Sequence, residues 1–291
     1  MDKPRSGQQA MMAAANPAAI LADGVTHELA PDFDLAVQAA RRRQRIEQML
    51  SLFSPLILLA LWEVAAQLRW IDLRFFPAPS QIAVVFFKMV MSGEYFKALQ
   101  ISFARIAVGF LMGAIPALIL GVLMGLSSIV RAAFSPIIGA LLPIPKLALL
   151  PLILLIFGIG ESAKWVTIAS GVFFYVLYDT LVGVSNIDRV YLDVAKAYGA
   201  PTSDFWFRVA LPGALPMIFN GLKLGLAVGL LLIVAAEMIG ANEGIGFLIW
   251  MGYSVFDLER MYVGLLTMAV LGYIITQGLD ALEKKVIPWK R

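Results

Sequence analysis

Residues 106–126, IAVGFLMGAIPALILGVLMGL, form an apolar run without a charged side chain. A helix rises about 1.5 Å per residue, so roughly 20 apolar residues cross a bilayer core about 30 Å thick. The run therefore predicts a transmembrane helix. The rest of the 291-residue chain agrees, because hydrophobic residues make up 60% of it and charged residues only 15%. Soluble domains contain roughly 45–50% and 25% of these classes, so the composition indicates an integral membrane protein.

Five further segments have a similar length and few charges. They are residues 49–68, 132–159, 165–184, 214–240 and 261–279. Together with 106–126 they predict an all-α, polytopic membrane protein with six transmembrane helices. Segment 132–159 contains Pro143, Pro145 and Pro151, and proline breaks a helix because it lacks the amide donor. We expect kinks or a short re-entrant turn there, with the freed carbonyls satisfied by neighbouring groups.

The lysines and arginines give the orientation. If the N-terminus is cytoplasmic, fourteen of them fall in cytoplasmic segments: Lys3, Arg5, Arg41, Arg42, Arg43, Arg45, Arg131, Arg189, Lys196, Arg208, Lys284, Lys285, Lys290 and Arg291. Six fall outside: Arg69, Arg74, Lys88, Lys97, Lys164 and Arg260. Basic residues concentrate on the cytoplasmic side of membrane proteins, so we expect both termini in the cytoplasm.

Two regions flank the first predicted span. Residues 1–40 contain no apolar run of span length and read as a weakly ordered tail. Between the first two spans, Pro79 and Ser80 begin an amphipathic stretch that continues to Met91. Proline is favoured in the first turn of a helix, so we expect a helix lying on the outer membrane interface.

Several function classes lack their usual signals. The chain has no cysteine, and its one histidine, His27, lies in the tail, so no metal site is expected. The net charge of +3 does not suggest nucleic acid. No GxxxxGK[ST] phosphate loop and no GxSxG nucleophile motif occurs. We expect no catalytic residues and no cofactor in this chain.

Residues 193–216, DVAKAYGAPTSDFWFRVALPGALP, form a polar interruption between the fourth and fifth spans. Asn186 or Asp188 can cap a helix with apolar groups on one face. Gly199 is expected to end that helix in a left-handed conformation, and Pro201 prevents its continuation. A second short helix, capped by Thr202 or Ser203, is expected to run to Pro212.

Such a helical pair suits a groove in a partner protein, with Phe205 and Trp206 as aromatic anchors. The pattern by itself fits an ordinary interfacial loop helix equally well.

Four stretches resemble one known family. The run DVAKAYG (193–199), followed by VALP (209–212), resembles the EAA signature of permease subunits in ATP-binding-cassette importers. It departs from that signature in having Asp193 for the usual glutamate and Val194 for the first alanine. The stretches FFPAPSQI (75–82), IPKLALLPLILLIFGIGESAK (144–164) and AAEMIGANEGIGFLI (235–249) look like the nitrate, sulfonate and taurine branch.

The resemblance implies a type I importer fold in a bacterial inner membrane. Two cytoplasmic ATPase subunits would bind ATP and magnesium and would contact the short helices. The residues implied for this coupling are Asp193, Val194, Ala195, Gly199, Leu211 and Pro212. A second copy of the chain and an extracytoplasmic solute-binding protein would complete the assembly. The implied organisation is a cytoplasmic tail (1–45), a first transmembrane helix with the outer helix (46–97), an importer core (98–284) with coupling helices at 190–212, and a cytoplasmic tail (285–291).

Charged residues within the predicted spans are candidates for a solute path, because charge in hydrocarbon is costly. The candidates are Lys146, Glu237 and Glu63. Lys146 and Glu237 could meet each other or line a route for an anion; structural pairing is the alternative. Gly244 and Gly246 permit a tight loop that is a connector or a gate. The glycines of span 106–126 are expected to serve close helix packing.

Two interpretations compete with the importer. A self-contained ion-coupled carrier would use Glu63, Lys146 and Glu237, and it leaves the cytoplasmic helical pair unexplained. A membrane scaffold that recruits a cytoplasmic partner would carry no solute. The sequence does not specify which anion an importer would carry.

Overall fold

The computed structural model describes residues 25–187, 189–199, 201 and 205–289. Its elements in these residues are helical, without a strand. The helices are α1 (Val25–Gln67), α2 (Pro79–Met91), α3 (Glu94–Leu126), α4 (Ser128–Leu141), α5 (Leu150–Phe157), α6 (Glu161–Ser185), α7 (Arg189–Ala197), α8 (Leu211–Gly240), α9 (Ile245–Ser254) and α10 (Leu258–Val286). A 3-10 turn precedes α5 (Lys146–Leu149) and a π-helical turn precedes α8 (Trp206–Ala210).

The chain divides into two compact units, Met1–Trp70 and Ile71–Arg291. The first unit contains α1, which is already helical at Val25. The prediction of a weakly ordered tail is therefore wrong for residues 25–40, and residues 1–24 lie outside the described part. The predicted span 49–68 falls at the end of α1, where the apolar helical stretch is Phe53–Gln67.

In the described residues, four helices are long and apolar enough to cross a membrane. They are Glu94–Leu126, Glu161–Ser185, Arg208–Gly240 and Leu258–Val286. They contain the predicted segments 106–126, 165–184, 214–240 and 261–279, so these helices are confirmed. A bent pair gives a fifth candidate, whereas the predicted total of six is not confirmed.

The proline-rich segment 132–159 is broken, as predicted. Helix α4 and the following Lys146–Phe157 helix meet at an angle of 84°. Pro143 and Pro145 lie between them, where neither can donate a backbone hydrogen bond. The predicted kink or re-entrant turn is therefore present.

Helices α3, α6 and α8 form the centre of the second unit. Ile106, Ile168 and Ile233 belong to one buried apolar cluster. The helices approach closely because glycines face their neighbours: a methyl group at Gly113 would lie 2.6 Å from the carbonyl oxygen of Ala169. A methyl group at Gly121 would lie 2.8 Å from Cβ of Thr180. The predicted packing role of the α3 glycines is confirmed.

Two shorter helices complete the unit. Helix α2 begins at Pro79 and ends at Met91, as predicted, and its start is held by Gln81, whose side chain accepts a hydrogen bond from the Ala78 amide at 3.1 Å. Helix α9 follows α8 after a loop at residues 241–244. This loop reverses the chain beside the beginning of α6.

Candidate functional site

The segment between α6 and α8 contains the predicted short helix and turn. Helix α7 ends at Ala197, and the amide of Tyr198 still donates to the carbonyl of Val194 at 3.1 Å. Gly199 has a φ of 70°, which is the left-handed backbone that glycine adopts at helix ends. The first half of the predicted helix–turn–helix is thus confirmed. Of the two predicted caps, Asn186 ends α6 instead, and Asp188 lies outside the described residues.

One face of α7 exposes an apolar and aromatic surface. The exposed fraction is 61% for Val190, 60% for Tyr191, 50% for Val194 and 87% for Tyr198. These positions recur at spacings of three to four residues, so they lie on one side of the helix. Asp193 is exposed beside them, and Ala195 lies in the same helix. We call this surface the α7 face.

The predicted second short helix is wrong. Residues 202–204, which include the proposed caps, lie outside the described part, and Phe205 is already helical. From there the chain continues without a break into α8, and the Leu211 amide donates to the carbonyl of Trp206 five residues earlier. Pro212 lies in the first turn of α8. Only Leu211 separates Pro212 from the π-helical turn, and the missing amide of the proline removes one bond to that preceding turn.

The predicted aromatic anchors point into the protein itself. Phe205 is only 4% exposed, and its ring contacts the Trp206 ring edge-on with centroids 4.9 Å apart. Trp206 and Leu211 pack on a small core that contains Val184 and Ile218. These side chains anchor the turn to α6 and α8. The surface available to a partner is the α7 face.

At the opposite end of α6 and α8, five side chains form what we call the ion cluster: Ser102, Arg105, Glu161, Lys164 and Glu237. Arg105 of α3 binds Glu161 of α6 in two places, through Nε at 2.7 Å and Nη2 at 2.6 Å. Its Nη1 donates to Glu237 of α8 at 2.7 Å and to the backbone carbonyl of Glu243 at 2.6 Å. Lys164 Nζ adds a bond of 3.0 Å to Glu161. Three helices and one loop therefore meet at a single guanidinium.

The Glu237 carboxylate is the buried counterpart of Arg105. It is 1% exposed, and the Ser102 hydroxyl lies 2.9 and 2.8 Å from its two oxygens. The amide of Gly246 donates to it at 2.8 Å, and the amide of Ile245 donates to Ser102 Oγ at 2.8 Å. Both carboxylate oxygens of Glu237 therefore accept hydrogen bonds from the chain. Removing one partner of a buried ion pair costs several kcal/mol of stability.

Gly244 fits the loop to this carboxylate. Its φ of 119° is unfavourable for any residue with a side chain. A Cβ at Gly244 would also lie only 2.6 Å from Glu237 Oε2. The predicted tight loop is therefore present, and the ion cluster determines its course.

Of the three charged residues predicted for a solute path, Lys146 and Glu237 do not come together. Lys146 Nζ donates to the carbonyls of Leu141 and Ile144 at 2.7 and 2.9 Å, and it lies 4.2 Å from the centroid of the Phe174 ring. It thereby satisfies carbonyls freed by the broken span, while Glu237 pairs with Arg105. Glu63 lies on α1 and accepts a hydrogen bond from Gln67 at 2.8 Å.

Lys146 also lines a cavity of about 370 Å³. Leucine and proline side chains form one wall, and Phe174 and Tyr175 of α6 and Leu231 of α8 form the other. The cavity is thus apolar and aromatic, with one cation at its edge.

Further ion pairs lie outside the ion cluster. Lys223 of α8 pairs with Asp280 and with Glu283 of α10, the latter at 2.5 Å. Lys97 of α3 pairs with Glu243 of the loop. In the exposed loop before α2, hydrogen bonds from Arg74 lower the pKa of Asp72. Each of these pairs is more exposed than the Arg105–Glu237 pair of the ion cluster.

The sequence analysis missed four members of the ion cluster. Arg105 precedes the apolar run 106–126, and Glu161 and Lys164 follow the run 144–159, so each resembles an ordinary boundary charge. Ser102 gave no signal. Only the fold brings residues separated by more than a hundred positions within hydrogen-bond distance. The available signal was Glu237, a charge inside the predicted span 214–240, since a charge within a membrane span usually pairs with another group.

Comparison with known proteins identifies relatives along most of the chain. Residues 117–288 match the family model of the binding-protein-dependent transport system inner membrane component. A putative aliphatic sulfonates transport permease of Bacillus subtilis is 33% identical over 88% of this chain and 92% of that protein. The taurine transport system permease of Escherichia coli is 33% identical over 82% of this chain and 89% of that protein. A nitrate import permease of Leptolyngbya laminosa is 34% identical over 64% of this chain and 67% of that protein.

Solved structures support the fold. A methionine ABC transporter in an inward-facing conformation aligns with a TM-score of 0.55 at 23% identity, over 67% of this chain and 95% of that chain. An amino acid ABC transporter aligns with a TM-score of 0.54 at 19% identity, over 70% of this chain and 97% of that chain. The helical arrangement is therefore that of importer permeases.

Proposed function

Because the chain belongs to the family of binding-protein-dependent transport system inner membrane components, we propose that it is the membrane-spanning permease subunit of an ATP-driven importer. Its solute is a small anion such as a sulfonate, taurine or nitrate, since permeases named for these solutes are similar over most of their length. Membership in this family supports the importer over a self-contained ion-coupled carrier. The chain lies in a bacterial inner membrane with both termini in the cytoplasm.

The observation that carries the proposal is the α7 face. A helix of nine residues that exposes Tyr191, Val194 and Tyr198 presents an apolar surface that a partner protein would cover. Asp193 adds one charge at its edge. We assign this face to a cytoplasmic ATPase subunit, which binds ATP and magnesium in place of this chain.

The turn at Gly199 and the start of α8 transmit movement of that partner. Gly199 sets the direction of the chain between α7 and α8, and Leu211 packs the first turn of α8, which also contains Pro212, against α6. Helices α6 and α8 then move with α7, because α7 lies between them in the chain. ATP-driven closure of two ATPase subunits would switch the permease between inward-open and outward-open states.

Two copies of the chain, two ATPase subunits and one binding protein complete the proposed assembly. A closed twofold arrangement is the commonest one for identical subunits. The solute path then lies between the copies. The ATPase subunits and the binding protein meet opposite ends of α6 and α8.

Among the candidate path residues, we favour Lys146. It alone of the three lines a described cavity, whose apolar walls and single cation suit an anion with an apolar body. Glu237 has its partners inside the ion cluster, and Glu63 lies on α1. Replacing Lys146 with methionine should lower anion uptake without changing the affinity of the binding protein for the solute.

The main test is Gly199→Val in the complex reconstituted in vesicles. A β-branched residue at a φ of 70° is strained, so α7 should change direction and ATP-driven uptake should fall at least tenfold. Membrane insertion should be unchanged, because nothing packs within 4 Å of this glycine.

The matched control is Gly93→Val. Gly93 also has a positive φ, of 80°, and open space around it, but it lies between α2 and α3. Uptake by the Gly93 variant should stay within about twofold of the parent. Concentrative uptake by the purified chain without any ATPase subunit would refute the importer.

A further inference from the structure

The ion cluster binds backbone groups of residues 241–246 and ties them to α3 and α8. These residues comprise the loop 241–244 and the first two residues of α9, and we call them the 241–246 loop. The amides of Ile245 and Gly246 and the carbonyl of Glu243 all bind side chains of α3 and α8. These backbone groups, together with the Glu243 side chain that pairs with Lys97, hold the loop on α3 and α8. The loop therefore follows the helices wherever they move.

The three helices themselves form one stiff body. Contacts through glycine occur near both ends of the α3–α6 pair: a methyl group at Gly109 would lie 2.7 Å from Ile168, and one at Gly121 would lie 2.8 Å from Thr180. A methyl group at Gly183, near the end of α6, would lie 2.7 Å from Met217 of α8. Such interdigitated surfaces resist sliding, because packed interiors have discrete arrangements.

The loop and the α7 face lie at opposite ends of this body. Helix α6 contains 25 residues and is therefore roughly 37 Å long. Glu161 at its first residue belongs to the ion cluster, and Ser185 at its last residue precedes α7. A displacement of α7 would thus be carried across the membrane by α6.

We propose that the ion cluster is a permanent clamp, with Arg105 as the positioning residue, that makes the 241–246 loop move with α3, α6 and α8 throughout the transport cycle. This inference rests on the proposed function. When the cytoplasmic ATPase subunits change state, the loop then moves on the outer surface, where the binding protein docks. If the clamp is permanent, the loop is not a gate that separates from α3 during opening.

The clamp can be tested by cross-linking, because the parent chain has no cysteine. Lys97→Cys combined with Glu243→Cys replaces the ion pair that joins α3 to the loop, and it leaves the five residues of the ion cluster unchanged. A direct disulfide needs Cα atoms within about 7 Å, whereas Lys97 and Glu243 meet at the tips of long side chains, so a bis-methanethiosulfonate reagent as long as that side-chain pair is used. A permanent clamp predicts that the reagent joins the two cysteines, and that ATP-driven uptake by the cross-linked protein stays within about twofold of uptake by the reduced protein.

Two results would overturn the clamp. The first is a loss of uptake on cross-linking that a reducing agent restores, because the loop would then have to separate from α3. The second is failure of the two cysteines to cross-link. If the reduced protein itself shows no ATP-dependent uptake, it is the proposed importer function that fails.

A second test removes the charge of Glu237 with little change of shape. Glu237→Gln should leave ATP hydrolysis by the assembled complex within about twofold in the absence of binding protein. Stimulation of hydrolysis by solute-loaded binding protein should fall at least fivefold, since the loop is no longer held. A purely structural role would lower both activities together.

The matched control is Glu94→Gln, which removes an exposed partner of Arg260 at the same end of α3. Its stimulation by binding protein should be unchanged. Unchanged stimulation in the Glu237 variant would contradict the assignment. If that variant does not assemble, the cross-linking result decides alone.

Discussion

The two ends of the α6–α8 pair are built in different ways. At one end, Arg105 and Glu237 are buried, and their hydrogen bonds are made within the chain. At the other end, α7 leaves Tyr191 and Tyr198 mostly exposed. A buried charge needs a partner within hydrogen-bond distance, because solvent cannot replace that partner, and here the chain itself supplies it. An exposed apolar face is stabilised when a partner covers it. The ion cluster is thus a contact within the chain, whereas the α7 face is available for contact with another protein.

The largest expected effect of this difference on stability is at the ion cluster. Glu237→Ala leaves Arg105 without its most buried partner, and it should lower the free energy of unfolding by about 3–5 kcal/mol. Denaturant unfolding of the purified permease in detergent measures this. The exposed pair gives the control, because Glu94→Ala should cost less than about 1 kcal/mol. Equal losses for the two variants would remove the distinction between buried and exposed pairs.

An intermediate effect is expected along the helix contact that joins the two ends. Gly125→Ala places a methyl group 2.5 Å from Cβ of Val184, and the repacking should cost about 1–3 kcal/mol. The measurement is the same unfolding experiment. Gly139→Ala is the control, since Gly139 lies in α4 with nothing within 4 Å of the new methyl group. It should be neutral or slightly stabilising, because alanine favours helices more than glycine does.

The smallest effect on the stability of the isolated chain is expected at the α7 face. The same change should clearly weaken binding of the ATPase subunit. Tyr198→Ala removes an exposed ring, so the unfolding free energy should change by less than about 0.5 kcal/mol. Binding of the ATPase subunit should weaken about tenfold if the ring is covered in the complex. Quantitative co-purification or surface-based binding assays measure this.

Tyr273→Ala supplies the matched variant for that assay. Tyr273 is an exposed tyrosine of α10, far along the chain from the turn. Its removal should leave ATPase binding unchanged. An equal loss of binding in both variants would show that the α7 face is not the contact.

Much of the helical framework could be predicted from the sequence, because helix length and apolar composition are local properties. The segment 214–240 was recognised from hydropathy alone, and Gly199 was recognised from the backbone conformation that glycine permits. A prediction that had to name the neighbour in space failed, whereas the packing role of the α3 glycines required only that some helix come close. Phe205 looked like an exposed anchor, yet the folded chain buries it, and a one-dimensional pattern does not contain that burial.

The sequence by itself determined that the chain enters a membrane as helices, that span 132–159 breaks at its prolines, and that a polar turn separates two spans. Each of these follows from the covalent structure of a short segment, through apolar surface, the missing amide of proline or the freedom of glycine. Tertiary structure alone decided that Arg105 pairs with Glu161 and Glu237 and that Lys146 binds backbone carbonyls. A buried charge takes whichever counter-charge or carbonyl the packing of helices brings within about 3 Å, and that choice is made among residues far apart in sequence.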